Sequence, residues 1–211
     1  MANGCISTER ILNKLDEYLN KNDYDSALKH LLYWLSEAQL SGLGNIELLV
    51  RNELMGLYRK LGKEQEALQC VSAALKKIDE MQIQKQDGAA TTFLNCATVY
   101  KAFNMPQKAL PLFEKAKEIY ESELEPSDSR LGGLYNNMAL ALVDLERYKE
   151  ASELYDKAVS VMSSIEYGML EVAITYLNMA SAKEAEIGLL DAEETISHYL
   201  KKAEQILENF D

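Results

Sequence analysis

Two stretches decide the fold: Ala109-Leu-Pro-Leu-Phe113-Glu-Lys-Ala116 and, 42 residues later, Ala151-Ser-Glu-Leu-Tyr155-Asp-Lys-Ala158. Each has a small residue, an aromatic four positions on, and a second alanine three beyond that. Ala67, Val71 and Ala74 repeat the pattern 42 residues upstream with Val for the aromatic. Ala27, Leu31 and Trp34 give a looser version 40 residues before that. Self-similarity at a fixed period marks a repeat architecture, because one unit cannot bury its apolar face alone.

A second signature precedes each of these. Phe93-Leu-Asn-Cys96-Ala97-Thr-Val-Tyr100 lies upstream of Ala109, and Tyr135-Asn-Asn-Met138-Ala139-Leu-Ala-Leu142 lies upstream of Ala151 at the same offset. Arg51-Asn-Glu-Leu54-Met55-Gly-Leu-Tyr58 stands before Ala67, and Tyr176-Leu-Asn-Met179-Ala180-Ser-Ala-Lys183 opens a fifth unit. Apolar residues at i, i+3, i+4 and i+7 define one helical face. Each unit therefore reads as two amphipathic helices. The breaks between them carry matching chemistry. Gly62 and Asn104 suit the left-handed end of a helix, Pro106 suits the first position of the next, and Glu125-Pro126-Ser127-Asp128 stops one helix and offers N-caps for another. Pro111, only five residues past Pro106, predicts a kink in the first turn.

These residues resemble the tetratricopeptide repeat, and the long period is similar to the kinesin light chain variant of it. Asn136-Asn137-Met138-Ala139 matches that variant's first helix, and Leu110-Pro111-Leu112 resembles its second. The resemblance runs from Asn13 to Phe210. It implies an all-α, right-handed α-solenoid of about five helix pairs forming a single domain, with units near 8–40, 45–82, 87–124, 128–165 and 168–210. The first and last units are expected to act as caps. In the first helix, Lys14 replaces an apolar residue. In the fifth unit, the small-aromatic-alanine pattern reads as displaced to Ile196, Leu200 and Ala203, with the family offset falling on Ala192.

Composition agrees with an all-α chain. Only 10 Gly and 3 Pro occur in 211 residues, too few chain-breakers for an all-β fold. The first ten residues lack the basic and apolar regions of a signal peptide. The longest apolar runs, Leu31 to Leu35 and Met138 to Val143, are far too short to span a bilayer. The three cysteines, Cys5, Cys70 and Cys96, have no disulfide or metal-ligand spacing, so the chain reads as cytoplasmic.

The resemblance implies a binding surface lined by first helices. Asn95, Asn137 and Asn178 each sit just before the Leu-like position of a first helix, and the same frame counted back gives Glu53 and Asn13. A carboxamide there can donate to and accept from a peptide main chain. The same residues could instead cap or solvate their helices. Arg59, Lys60, Thr91, Thr98, Lys101, Asp144 and Ser181 fall near the stripe. Asp144 and Glu53 interrupt its cations, which argues against a dicarboxylate clamp. Two function classes follow: an adaptor or scaffold that holds a protein or peptide, and a ligand-responsive regulator similar to bacterial tetratricopeptide peptide receptors. Self-assembly through terminal helices, as a homo-oligomer, is compatible with either.

Enzyme chemistry finds no support. His30 and His198 lack an acid-nucleophile pattern around them. Gly132-Gly133 lacks the trailing Gly-Lys-Ser/Thr of a phosphate loop, and no cofactor or metal motif is present. The formal charge is −12, with basic residues scattered among acids, as in Lys183-Glu184-Ala185-Glu186. Neither nucleic acid nor an anionic membrane surface suits such a chain, because counterion release has no clustered cations to act through. Affinity for a random oligonucleotide at physiological salt should be negligible. A tight, steeply salt-dependent interaction in a filter or anisotropy assay would contradict this.

Overall fold

A computed structural model describes residues 7–209 of the chain. Cys5 and Phe210 lie outside the described residues. Ten helices occur among them and no strand: α1 (Thr8–Leu19), α2 (Tyr24–Leu40), α3 (Gly44–Lys60), α4 (Glu64–Met81), α5 (Asp87–Ala102), α6 (Pro106–Glu123), α7 (Ser129–Val143), α8 (Tyr148–Ser163), α9 (Met169–Ile187) and α10 (Leu189–Leu207).

Short turns fold the helices into five pairs, and one backbone device makes most of these turns. Asn22, Gly62, Asn104 and Glu146 each take a left-handed conformation between the two helices of a pair. In each case the next amide reaches back to a carbonyl near the end of the first helix: Asp23 to Tyr18, Lys63 to Tyr58, Met105 to Tyr100 and Arg147 to Leu142, at 2.8–2.9 Å. That closure satisfies a carbonyl the helix end would otherwise leave open. Asp128 caps α7 as its sequence position suggests, accepting from the Arg130 amide at 2.9 Å. Pro111 lies exposed inside α6, which runs through it without a break from Pro106 to Glu123. The expected kink does not interrupt that helix. The missing N–H leaves the Gln107 carbonyl in the first turn without its helical partner.

The pattern alanines occupy the places where helices meet. Ala67, Ala109, Ala139, Ala151 and Ala158 are all buried, and Phe113, Tyr120 and Tyr155 fill the space beside them. Cys70 and Cys96 are buried as small core residues. The fifth pair corrects the displaced register. α9 continues to Ile187, and the single residue Gly188 (φ 84°) joins it to α10. Ala192 is then the fourth residue of α10, as Ala151 is of α8, and it is fully buried, while Leu200 points outward. The lengthened first helix takes up positions that are loop between α7 and α8, and the family offset is kept, Ala192 standing 12 residues after Ala180 as Ala151 stands after Ala139.

The helices fall into two compact units, Met1–Gln84 and Lys85–Asp211. In the first, α2 packs on α1 and on α3, and α3 packs on α4. Its core includes a buried charged cluster. Glu47 accepts from Arg51 Nε at 3.0 Å and Nη2 at 2.7 Å, and Lys77 of α4 lies 3.1 Å from its other oxygen. Burial alone would raise the Glu47 carboxyl, but the hydrogen bonds from Arg51 and Lys77 outweigh it and hold the group below its ordinary range. In the second unit α5 pairs with α6, α7 with α8 and α9 with α10. Each later first helix also packs against the preceding pair: α7 touches α5 and α6, and α9 touches α7 and α8. No helix among the described residues is long and apolar enough to cross a membrane.

Glu146 is the side chain in this turn series least suited to a positive φ. Glu146→Gly should raise unfolding stability by up to about 1 kcal/mol in a denaturant titration, since the relief of strain exceeds the added chain entropy of glycine. A lower midpoint would show that the turn is unstrained.

Candidate functional site

In the second unit, the first helices α5, α7 and α9 stand side by side and carry the asparagine register across one unit. Asn95, Asn137 and Asn178 are all half-buried. Their partners differ for a local reason. Asn178 Nδ2 donates to Asn136 Oδ1 on α7 at 3.1 Å. Asn137 has Leu94 where Asn178 has Asn136, because Leu94 and Asn136 occupy equivalent positions. With no amide to meet on α5, Asn137 Nδ2 turns back to the Gly133 carbonyl of its own helix at 2.8 Å. Asn136 therefore joins the set. The repeat frame pointed to it, as the position before Asn137 that meets the next first helix.

Lys101 and Asp144, both read as stripe residues, come together at the C-terminal ends of α5 and α7, with nitrogen and oxygen 3.7 Å apart. Thr98 Oγ1 donates to the Leu94 carbonyl of its own helix at 2.7 Å. Ser181 is exposed on α9. Thr91 lies in the α5–α6 seam instead, its hydroxyl 2.7 Å from that of Tyr120, which is fully buried on α6. The unit thus presents amides, a hydroxyl and one exposed ion pair along successive first helices. Such groups can donate and accept hydrogen bonds.

In the first unit, Asn13 is exposed on α1 and Glu53 is half-buried on α3. Burial, and then the nearby Asp16 carboxylate, push the Glu53 carboxyl up from its ordinary value. Arg59 and Lys60 are exposed at the end of α3, and Lys60 Nζ lies 4.8 Å from the centre of the Tyr24 ring. A cleft of about 630 Å³ opens between α1 and α2, beside Tyr18, His30, Tyr33 and Trp34. Of its polar groups, His30, Lys14 and Glu17 are engaged, and Asn13 also lines it. His30 Nε2 lies 2.9 Å from the Ile11 carbonyl oxygen, and Lys14 pairs with Glu17 while lying over the Tyr18 ring. Among the described residues, no group of three His, Cys, Asp or Glu side chains could hold a metal ion.

The one structural cluster missed by the repeat frame is Glu47 with Arg51 and Lys77. Its signal was present: Arg51 stands where later units have Phe93, Tyr135 and Tyr176, with Glu47 one turn before it.

Tetratricopeptide repeat family models match residues 47–122 and 132–162. The chain belongs to the tetratricopeptide repeat family, whose fold is an interaction scaffold. Solved structures share that fold. BtubC (BKLC) from P. vanneervenii superposes with a TM-score of 0.79 at 19% identity, covering 96% of this chain and 80% of that one. A kinesin light chain-like protein of Podosopora anserina, with nearly identical TPR-like repeats, gives 0.74 at 16% identity over 96% of each chain. MamA from Desulfovibrio magneticus RS-1 gives 0.58 at 16% identity, again over 96% of each. No curated protein matches the sequence.

The raised Glu53 pKa has a defined consequence. A carboxyl whose folded value lies above its unfolded one favours the fold when protonated and opposes it when ionised. Glu53→Gln should therefore raise the melting temperature at neutral pH. The gain should shrink as pH falls through the raised value and vanish below the ordinary value of 4.5. An unchanged or lower melting temperature at neutral pH would show that the ionised Glu53 carboxylate costs the fold nothing.

Proposed function

We propose that this chain is a cytoplasmic, non-catalytic adaptor whose first helices hold an extended peptide or partner segment. One observation carries the reading: half-buried carboxamides recur in register on α5, α7 and α9, and Asn178 reaches across to Asn136 on the neighbouring first helix. Asparagine is a mediocre helix former, so its recurrence here opposes the local preference of these helices. With Asn137 and Asn178 each held by one hydrogen bond, the row keeps acceptor and donor capacity at a fixed spacing, because each carboxamide has more bonding positions than one contact uses. An extended main chain offers alternating N–H and C=O groups that such a row can meet. The Lys101–Asp144 pair adds a polar rim at the ends of the same helices.

The test is a random peptide library panned against the wild-type chain, with selected peptides then titrated against Asn95→Ala/Asn137→Ala/Asn178→Ala. Alanine favours helix, so the triple variant should melt at or above the wild-type temperature. Its affinity for the selected peptides should fall by about 1 kcal/mol per lost contact. Selected peptides that bind the triple variant undiminished would rule out the amide row as the recognition surface.

A further inference from the structure

The second unit shows, twice, what fills the outer face of a helix pair: a further helix. α7 lies against α5 and α6, and α9 lies against α7 and α8. The seam on α7 is marked by Asn136, which meets Asn178 of α9. The equivalent position on α9 is Leu177, 41 residues later. It is 41% exposed, and Leu200 and Leu207 across from it on α10 are 46% and 39% exposed. Between them, buried Ala203 forms the floor of a groove of about 430 Å³, with Glu204 and Glu208 also lining it. Ile174 and Leu170, also exposed, continue the apolar stripe one and two turns back along α9.

This open groove has apolar walls and an edge charge of one sign. No lysine or arginine lines it, and the chain as a whole carries a charge of −12. A second copy docked through this same face would set like acids against Glu204 and Glu208. A head-to-tail copy offering α1 would bring the cations Arg10 and Lys14 but no apolar stripe, since Ile11 and Leu15 are buried. An apolar stripe flanked by Lys or Arg is complementary on both counts. We propose that the α9–α10 groove docks an amphipathic helix of a partner protein, with apolar residues at i, i+3, i+4 and i+7 and basic flanks. Leu177 faces α10, whereas Asn178 beside it on the same helix reaches α7.

Two synthetic helical peptides with the same leucine spacing, one flanked by lysines and one by glutamates, test the proposal by anisotropy against the full chain. The lysine-flanked peptide should bind at least about tenfold more tightly. Leu177→Asp, at an exposed position, should weaken it by about tenfold or more while leaving the thermal melt unchanged. Glu204→Lys/Glu208→Lys should reverse the preference between the two peptides. The triple asparagine variant should bind the lysine-flanked peptide as wild type does, which separates this surface from the peptide-holding role. Binding indifferent to Leu177→Asp would reduce the interaction to bulk charge and overturn the proposal. So would a concentration-dependent dimer of the chain that Leu177→Asp abolishes, since the groove would then belong to a second copy.

Discussion

The close approach of paired helices at alanine is the constraint on which the rest depends. A long side chain at Ala109, Ala116, Ala151 or Ala158 would hold two helices apart and open a gap beside Phe113 and Tyr155, both essentially fully buried. Packing at interior density leaves no slack for such a change. With the pairs closed at these points, the first helices of the second unit come side by side. Only then can a side chain on α9 reach one on α7. The Asn178–Asn136 bond is a consequence of alanine packing several residues away.

The fold was largely legible because its signals are local and repeated. Gly62 and Asn104 announced their left-handed turns through residue type, and Asp128 announced its cap. Glu146 did not, since nothing about glutamate suggests a positive φ; the pairing of α7 with α8 imposes it. The fifth unit misled for a related reason. Ile196, Leu200 and Ala203 imitate the small-aromatic-alanine spacing, while the family offset from Ala180 falls on Ala192. Gly188 decided the matter by closing the turn in a single residue and returning Ala192 to the buried place.

The candidate site was legible in register but not in detail. Period alone identified Asn95, Asn137 and Asn178 as one row. Which group each amide meets depends on the neighbouring helix, where Leu94 stands in one case and Asn136 in the other. Thr91 lies in the right helix yet faces the α6 seam, a difference of angle around the helix that residue type does not encode. Glu47 and Arg51 show the reverse case. A charged pair in an aromatic slot is visible in the sequence, but its burial becomes intelligible only when Lys77 arrives from α4. The cluster ties α3 to α4 within the first unit.

Nuclear magnetic resonance of the asparagine side-chain amides is the most direct measurement of the central claim, that the amide row on the first helices is a recognition surface. On titration of a peptide selected against the wild-type chain, the Nδ2 signals of Asn95, Asn137 and Asn178 should shift together and saturate at one stoichiometry. Signals of second-helix residues such as Gln107 on α6 should stay in place. Shifts confined to second helices, with the three carboxamides unmoved at saturation, would contradict the account.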